Sequence, residues 1–434
     1  MTTHHGTRVT ATILAMTLAL AFGHPPTAWA GEHAPGGHAH GAGIADLLEL
    51  ARTLNPEVAA MRLEADAAAA RVDAEGSLAD PKFRVSVEDL PRDRPGYAPR
   101  LNPGQVKYTL SQDLPFFGKR GLKEDIAAAE ARAAAAAAGS ALNEVLARVK
   151  VAYAEYHQAH LAMEQTSALI DVMATVTRLA QLRYGQGLGS QQEAASAELE
   201  RSAMVAELAR LEATRYKARA RLNALVNRAA DAPLVEEPHP RTLPPPAALD
   251  YAALMERAHR GNPRFAESDA RISGADKGRE LADLAWYPDF GIGLTAVQRQ
   301  GASGIDAYET MLEMNIPLQG GLRQSQQQAA VAMAAAARAR RDAAMREIDS
   351  GLHEAYLALH SARKVEKILA ENTLPQGELA FRSVVKSYEL GRSGLIEVLG
   401  ALQRLRRTQI EQLNAFYEQQ VRLAEIERLV GADL

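Results

Sequence analysis

The chain of 434 residues contains no cysteine, so it has neither a disulfide framework nor a lipidated N-terminal cysteine and must hold together by packing alone. Aromatic residues make up only 5% while alanine is abundant, which suits helices packed closely over long distances. Beyond the first thirty residues no stretch is long and apolar enough for a transmembrane helix, so any membrane span would have to be built from strands. The net charge of -4 is small and no basic stripe is present, which argues against nucleic acid as a partner.

What is present begins with an export signal over residues 1–30. Arg8 supplies the positive end, Val9 to Phe22 the apolar stretch, and Ala28-Trp29-Ala30 a small-x-small cleavage site before Gly31. The competing reading, a membrane anchor, needs roughly 20 apolar residues where this stretch has about 14. Residues 31–43 form a polar, glycine-rich tail carrying His33, His38 and His40. Such imidazoles can capture borderline metal ions weakly and transiently, but three make no closed site; the alternative is a plain spacer.

The rest of the chain is a tandem repeat. Asn55-Pro56 returns as Asn262-Pro263, Pro81-Lys82-Phe83 as Pro288-Asp289-Phe290, Leu114-Pro115 as Ile316-Pro317, and Tyr184-Gly185-Gln186-Gly187 as Tyr388-Glu389-Leu390-Gly391. The offset is 207 at the first landmarks, 202 at the second proline and 204 at the tyrosine, so length varies mainly in one loop. The first copy spans 44–230, a proline-rich linker 231–249, and the second copy 250–434.

Within each copy the period changes from helical to two and back. A helix from Ile44, interrupted at Asn55-Pro56, precedes two alternating segments at about 81–90 and 105–114. In the second copy the strands fall at about 288–298 and 306–316. From Lys119 to Arg183 there is no proline, and Leu142, Val149, Tyr156, Met163 and Ile170 recur every seven residues, the seam of helices packed along their length. The corresponding helix of the second copy is expected from about Leu322 to Tyr388. The helix before each hairpin and the one after each turn together match the unbroken helix in length, so two short helices are expected to stack end to end beside one long one.

Four strands of about ten residues can each cross an outer-membrane hydrocarbon layer, yet four cannot close a barrel. An open edge in lipid leaves backbone groups unpaired at several kcal/mol each, so subunits would pool strands: two chains give eight, three give twelve, wide enough for a channel. Polar Lys107, Glu88 and Glu309 on one face fit a wet lumen. An ordinary soluble sheet with one solvated face shows the same alternation.

The duplicated layout, the Asp80-Pro81-x-Phe83 strand start, the Leu114-Pro115-Phe116-Phe117-Gly118-Lys119-Arg120 strand end and the turn Tyr388-x-x-Gly391-x-x-Gly394-x-x-Glu397 resemble the TolC-type outer-membrane efflux proteins across the mature chain. The resemblance implies a mainly α fold with a membrane β-barrel portion: a homotrimer with a 12-stranded β-barrel continued by a 12-helix periplasmic α-barrel. It also implies a periplasmic adaptor and an inner-membrane RND pump as partners, with no cofactor and no catalysis. The first hairpin, Val85 to Pro91 and Ser111 to Phe116, is similar to the heavy-metal branch, the copper/silver and cobalt-zinc-cadmium (CusC/CzcC-like) channels. The function implied is a passive duct exporting heavy-metal cations. The alternatives are the same duct for drugs, solvents or type I protein secretion, and a soluble periplasmic helical scaffold.

The resemblance also assigns residues at the helix-reversal tip. Tyr388 and Glu397 match an aromatic and an acid that narrow the tunnel, where three carboxylates around one axis would attract cations. The plain alternative for Glu397 is a carboxylate at a helix start, favoured by the helix dipole. Two departures stand out: Gly400 replaces a second acid, and Ser393 stands at a basic position, with Arg392 beside it. Tyr184, Gly187, Gly189, Ser190, Gly391, Ser393 and Gly394 match the adaptor-docking tip, where small residues allow close approach and also serve any tight helix reversal.

Other motifs fail on inspection. Gly185-x-Gly187-x-Gly189 lacks the next glycine and the preceding strand of a dinucleotide loop, and His353-Glu354 has Leu357 where a zinc protease needs its second histidine. His157, His160, His353 and His360 read as structural.

Overall fold

A computed structural model describes residues 42–88, 104–245, 249–299 and 302–434. The export signal and His33, His38 and His40 lie outside the described residues.

Each copy supplies two short helices, a hairpin, a long helical arm, a tight turn and a returning helix. In the first copy these are α1 (Ile44–Leu54), α2 (Pro56–Gly76), β1 (Lys82–Glu88), β2 (Gln105–Leu114), α3 (Lys119–Gly185) and α4 (Gln191–Leu225). The second copy gives α5 (Tyr251–Gly261), α6 (Pro263–Leu284), β3 (Phe290–Arg299), β4 (Ala307–Met314), α7 (Gly320–Ile368), α8 (Leu374–Glu389) and α9 (Leu395–Val430). The 67 residues of α3 make a rod. At the α-helical rise it is about 100 Å long.

The Asn-Pro landmarks are junctions where two short helices meet. Proline forces its predecessor out of the helical conformation, and the freed asparagine caps the helix that follows. Asn55 Oδ1 accepts from Val58 N at 3.0 Å while its Nδ2 donates to the Leu225 carbonyl at the end of α4, at 2.7 Å. Asn262 repeats this, accepting from Arg264 N and donating to the Leu429 carbonyl of α9 at 2.8 Å. Thus α2 abuts α4, and α6 abuts α9, with α2 and α4 both packed along α3. The end-to-end stacking expected from the lengths is what the asparagines bolt together.

On the seven-residue seam, Val149 and Tyr156 are buried, whereas Leu142 and Ile170 are partly buried against the core. The second copy differs from expectation: its long helix is interrupted by a π turn at Leu369–Thr373. Pro375 explains it. Proline has no N–H and its ring collides with the carbonyl four residues back. An extra residue in the turn opens the ladder there, and Leu374 N reaches the Leu369 carbonyl instead.

Two further devices bind the helices at mid-height. Among the described residues the proline-rich linker makes only an isolated bridge, Leu234 with Ala42, so its other carbonyls need donors. Tyr156 of α3, Arg215 of α4, Gln420 of α9 and Arg363 of α7 donate to the carbonyls of Val235, Glu236, Arg241 and Pro244 at 2.8–3.0 Å. Beside this strap lies a buried charge cluster. Lys150 (4% exposed) meets Glu427 (2% exposed) at 2.8 Å, and Glu427 also binds Arg241 at 2.5 Å. Asp433 joins Lys150 and Arg52, tying the last residues to α3 and α1.

Candidate functional site

The four strands form one antiparallel sheet in the order β1-β2-β3-β4. Register decides what each face carries. The rows Arg84-Thr109-Thr295-Glu309 and Ser86-Lys107-Val297-Ala307 place Lys82, Arg84, Glu88, Lys107, Asp113, Arg299, Glu309 and Glu313 on one side. The opposite side carries Phe83, Val85, Leu110, Ile292, Leu294, Tyr308 and Leu312, with Gln112, Gln298 and Thr310 as its polar positions. This apolar face is bare: Phe83 is 67% exposed, Tyr308 71% and Leu312 77%. Water would not leave such a face open in a folded soluble domain.

On the polar side several groups pair with one another. Lys107 Nζ lies 3.1 Å from Glu88 and 3.7 Å from Glu309, Lys82 pairs with Asp113 at 2.5 Å, and the Thr109 and Thr295 hydroxyls are 2.8 Å apart. Thr295 and Val297, on the central strand β3, are buried here. Bases and acids balance on this face, so the sheet alone favours neither sign of ion.

Where sheet meets helices, the two copies interlock. Asp289 accepts from Phe116 N and Lys119 Nζ, both at 2.8 Å, and Lys119 also donates to the Tyr287 carbonyl. Phe116 stacks on Tyr287 at 4.7 Å. Burial pushes the Asp289 carboxyl up, but Lys119 and the Phe116 N–H outweigh it and hold the group below its ordinary value. The end of the first hairpin is thereby locked to the start of the second.

At the other end of α3 lies the tip. Gly187 and Gly391 both take φ of +72°, and both turns close with the same bonds: Leu188 N to the Arg183 carbonyl and Arg392 N to the Ser387 carbonyl, each 2.8 Å. This left-handed position is where glycine is needed. Ser190 then caps α4 through Glu193 N at 3.1 Å, whereas α9 starts at Gly394 with no side-chain cap. Tyr184, Gly187, Ser190, Gly391, Arg392, Gly394 and Glu397 are exposed, with Gly189 and Ser393 half-buried. All the docking and gate residues named from the sequence therefore gather at one end of the helices, and all except one stand open or half-open.

The exception is Tyr388. Its side chain is 0% exposed, packed in the core cluster of Met173, Met204 and Leu402. The resemblance places this ring at a narrowing of the lumen; in the chain described it lies inside, in the apolar surroundings that raise its hydroxyl's pKa. The sequence reading missed its partner. Arg183, in the last turn of α3, lies over the Tyr388 ring at 5.1 Å and donates to the Tyr388 carbonyl at 3.2 Å. The only sequence signal was a break in the repeat, since the matching position in the second copy is Ser387.

Just below the π turn, α3 and α8 diverge around a cavity of about 670 Å³. Its walls are apolar, with Leu161, Leu169, Val172, Phe381 and Val385, while Glu164 and Arg382 stand among the charged groups lining it. Among the described residues no helix is long and apolar enough to cross a membrane, and no three His, Asp or Glu side chains are placed to hold a metal ion. His157 is buried 5.6 Å from Phe416, and burial with His160 and His239 nearby lowers its pKa to about 4; His353 packs on Tyr251 at 5.2 Å.

The sequence profile described as outer membrane efflux protein matches residues 47–228 and 254–432, one match in each copy. Among solved structures the chain is similar to the outer membrane protein VceC from Vibrio cholerae, with 21% identity and a TM-score of 0.76 over 90% of this chain and 96% of that chain. It is similar as well to the outer-membrane channel OprN, with 17% identity and a TM-score of 0.76 over 90% of each chain. The same holds for CusC, whose structures concern transmembrane channel formation, with 16% identity and a TM-score of 0.74 over 90% of this chain and 92% of that chain. At these identities the likeness is one of fold. No curated protein matches the chain.

Proposed function

We propose that this chain, which belongs to the outer membrane efflux protein family, is the passive outer-membrane duct of a tripartite efflux system. Three copies pool their sheets into a twelve-stranded barrel, and their helices continue it as a twelve-helix tunnel across the periplasm. The observation that carries this reading is the sheet: one face predominantly apolar with large side chains exposed, the other carrying the charges, and both outer edges unpaired among the described residues. In lipid the apolar face is solvated by acyl chains, and the edges must find partners because no water is there to bond them.

The tip docks a periplasmic adaptor above an inner-membrane RND pump. Gly187, Gly189, Ser190, Gly391, Ser393 and Gly394 give close approach, with Tyr184 exposed beside them. Glu397 and Arg392, both exposed, line the mouth, and Tyr388 acts from beneath as the anchor for Arg183. The cargo is heavy-metal cations, a reading supported by the first hairpin's resemblance to the heavy-metal branch. The duct does no chemistry of its own, and energy and most selectivity belong to the pump.

Deletion of the gene followed by growth on a panel of metal salts, drugs and solvents tests the cargo. Reduced tolerance to one or more metals is expected, and unchanged metal tolerance with lost drug tolerance would reassign it. Fractionation tests the placement: recovery in the soluble periplasm would refute the barrel.

A further inference from the structure

We propose that the two outer strand edges fit each other between copies of this chain by charge, with Lys82 and Arg84 on β1 facing Glu309 and Glu313 on β4 of the next copy. The inference rests on the assembly proposed above and specifies how its seams are matched. Among the described residues β1 pairs only with β2 and β4 only with β3, so one backbone edge of each is open. Because all three pairings are antiparallel, β4 runs opposite to β1, and a neighbouring β1 laid beside β4 continues the alternation with both polar faces on the same side.

The charges on these edges are segregated by sign. On its polar side β1 carries Lys82 and Arg84, and its one acid, Glu88, is already held by Lys107 at 3.1 Å and Gln105 at 2.9 Å. On its polar side the charged residues of β4 are acids only, Glu309 and Glu313. Arg84 and Glu313 are exposed and make no ion pair with any described residue of their own chain. Edge charges that merely deter aggregation work by like-sign repulsion wherever two copies meet. Here a β1–β1 or β4–β4 contact would be repulsive, whereas β4–β1 is attractive. That selects a head-to-tail contact, the type that closes a ring, over a two-fold dimer.

The match tolerates register. A shift of one residue would turn the polar face outward, so allowed registers differ by two. Four successive ones oppose Lys82 to Glu309, Arg84 to Glu309, Lys82 to Glu313 and Arg84 to Glu313; each places one base directly across from one acid, and only the last also sets Glu88 across from Glu309, so the first three are favoured.

The test uses full-length protein purified from outer membranes in detergent, with dissociation into monomers followed over time. Reversing the β1 edge (Lys82→Glu with Arg84→Glu) or the β4 edge (Glu309→Lys with Glu313→Lys) is expected to speed dissociation at least ~10-fold, since each seam exchanges attraction for repulsion. Combining both reversals should bring the rate back to within ~3-fold of the parent. Since Lys82 and Glu309 also have partners within the chain, Arg84→Glu with Glu313→Lys serves as a second pair that disturbs neither. Reversals that leave a stable parent assembly unaffected, or that add rather than compensate, would overturn the charge matching while leaving the assembly standing. A parent chain that is itself monomeric in detergent would overturn the assembly, and the matching with it.

Discussion

Replacing Glu427 by glutamine should destabilise the protein more than replacing its partner Lys150 by methionine, although the two belong to one ion pair. The reason is the uneven company each keeps. Glu427 accepts from Lys150 at 2.8 Å, Arg241 at 2.5 Å and Leu434 N at 3.2 Å, with its side chain 2% exposed. Neutralising it leaves Arg241 without an acid and Lys150 sharing only Asp433, a group more than half exposed. Removing one partner of a buried pair costs about 3–5 kcal/mol because the other charge stays desolvated. Lys150→Met leaves Glu427 held by Arg241 and a backbone N–H, so the loss is nearer one charged hydrogen bond, about 1.5–3 kcal/mol. The double variant should cost at least ~1 kcal/mol less than the sum, since neither residue is stranded by the other's loss. Urea titration of the helical circular dichroism signal in a fixed detergent supplies the four free energies. Equal or reversed costs, or strict additivity, would show that Arg241 does not hold Glu427 in place and that the reasoning is wrong.

Other outcomes follow from the same geometry. His157 prefers to stay neutral in the folded chain, with a pKa of about 4 against an ordinary 6.5, so the unfolded chain takes up the proton first on acidification. Stability should therefore fall as pH drops from about 6.5 towards 4, by roughly 2–3 kcal/mol, and His157→Phe should remove that part of the slope; identical pH profiles for parent and variant would sink the idea. Gly391→Ala, at φ +72°, should cost about 1–2 kcal/mol in thermal unfolding, whereas Gly394→Ala, at φ -90°, should be nearly neutral; equal effects would contradict the turn geometry. Arg183→Met should raise amide hydrogen exchange in the last turns of α8 at least ~5-fold while leaving the α9 end unchanged, and unaltered exchange would mean the cation over the Tyr388 ring holds nothing.

The repeat, the helix boundaries and the amphipathic strands were legible because each depends on local rules: period, proline, glycine. Asn55-Pro56 and Asn262-Pro263 announced helix breaks, though not that the amide would reach 170 and 167 residues along the chain to a carbonyl. The π turn was missed because Pro375 sits within an otherwise helical pattern, and sequence shows the obstacle without the detour around it. Tyr388 was placed at a narrowing by resemblance alone, since an aromatic beside a turn carries no mark of which way it points; its partner Arg183 lies 205 residues earlier. The cluster of Lys150, Glu427, Arg241 and Asp433 is scattered over the whole chain and leaves no local trace. Long-range pairings of polar groups are what the linear pattern cannot report, and they govern both the tip and the mid-height strap.

The lock between Asp289, Lys119 and Phe116 has a kinetic consequence. It joins the two hairpins inside a single polypeptide, so that junction forms at the effective concentration of a tethered pair and is unaffected by dilution. In a ring of alternating junctions only every second one must then be made by collision. A chain carrying one hairpin would need twice as many encounters to close the same circle, and at low abundance in a membrane it would be left with open arcs.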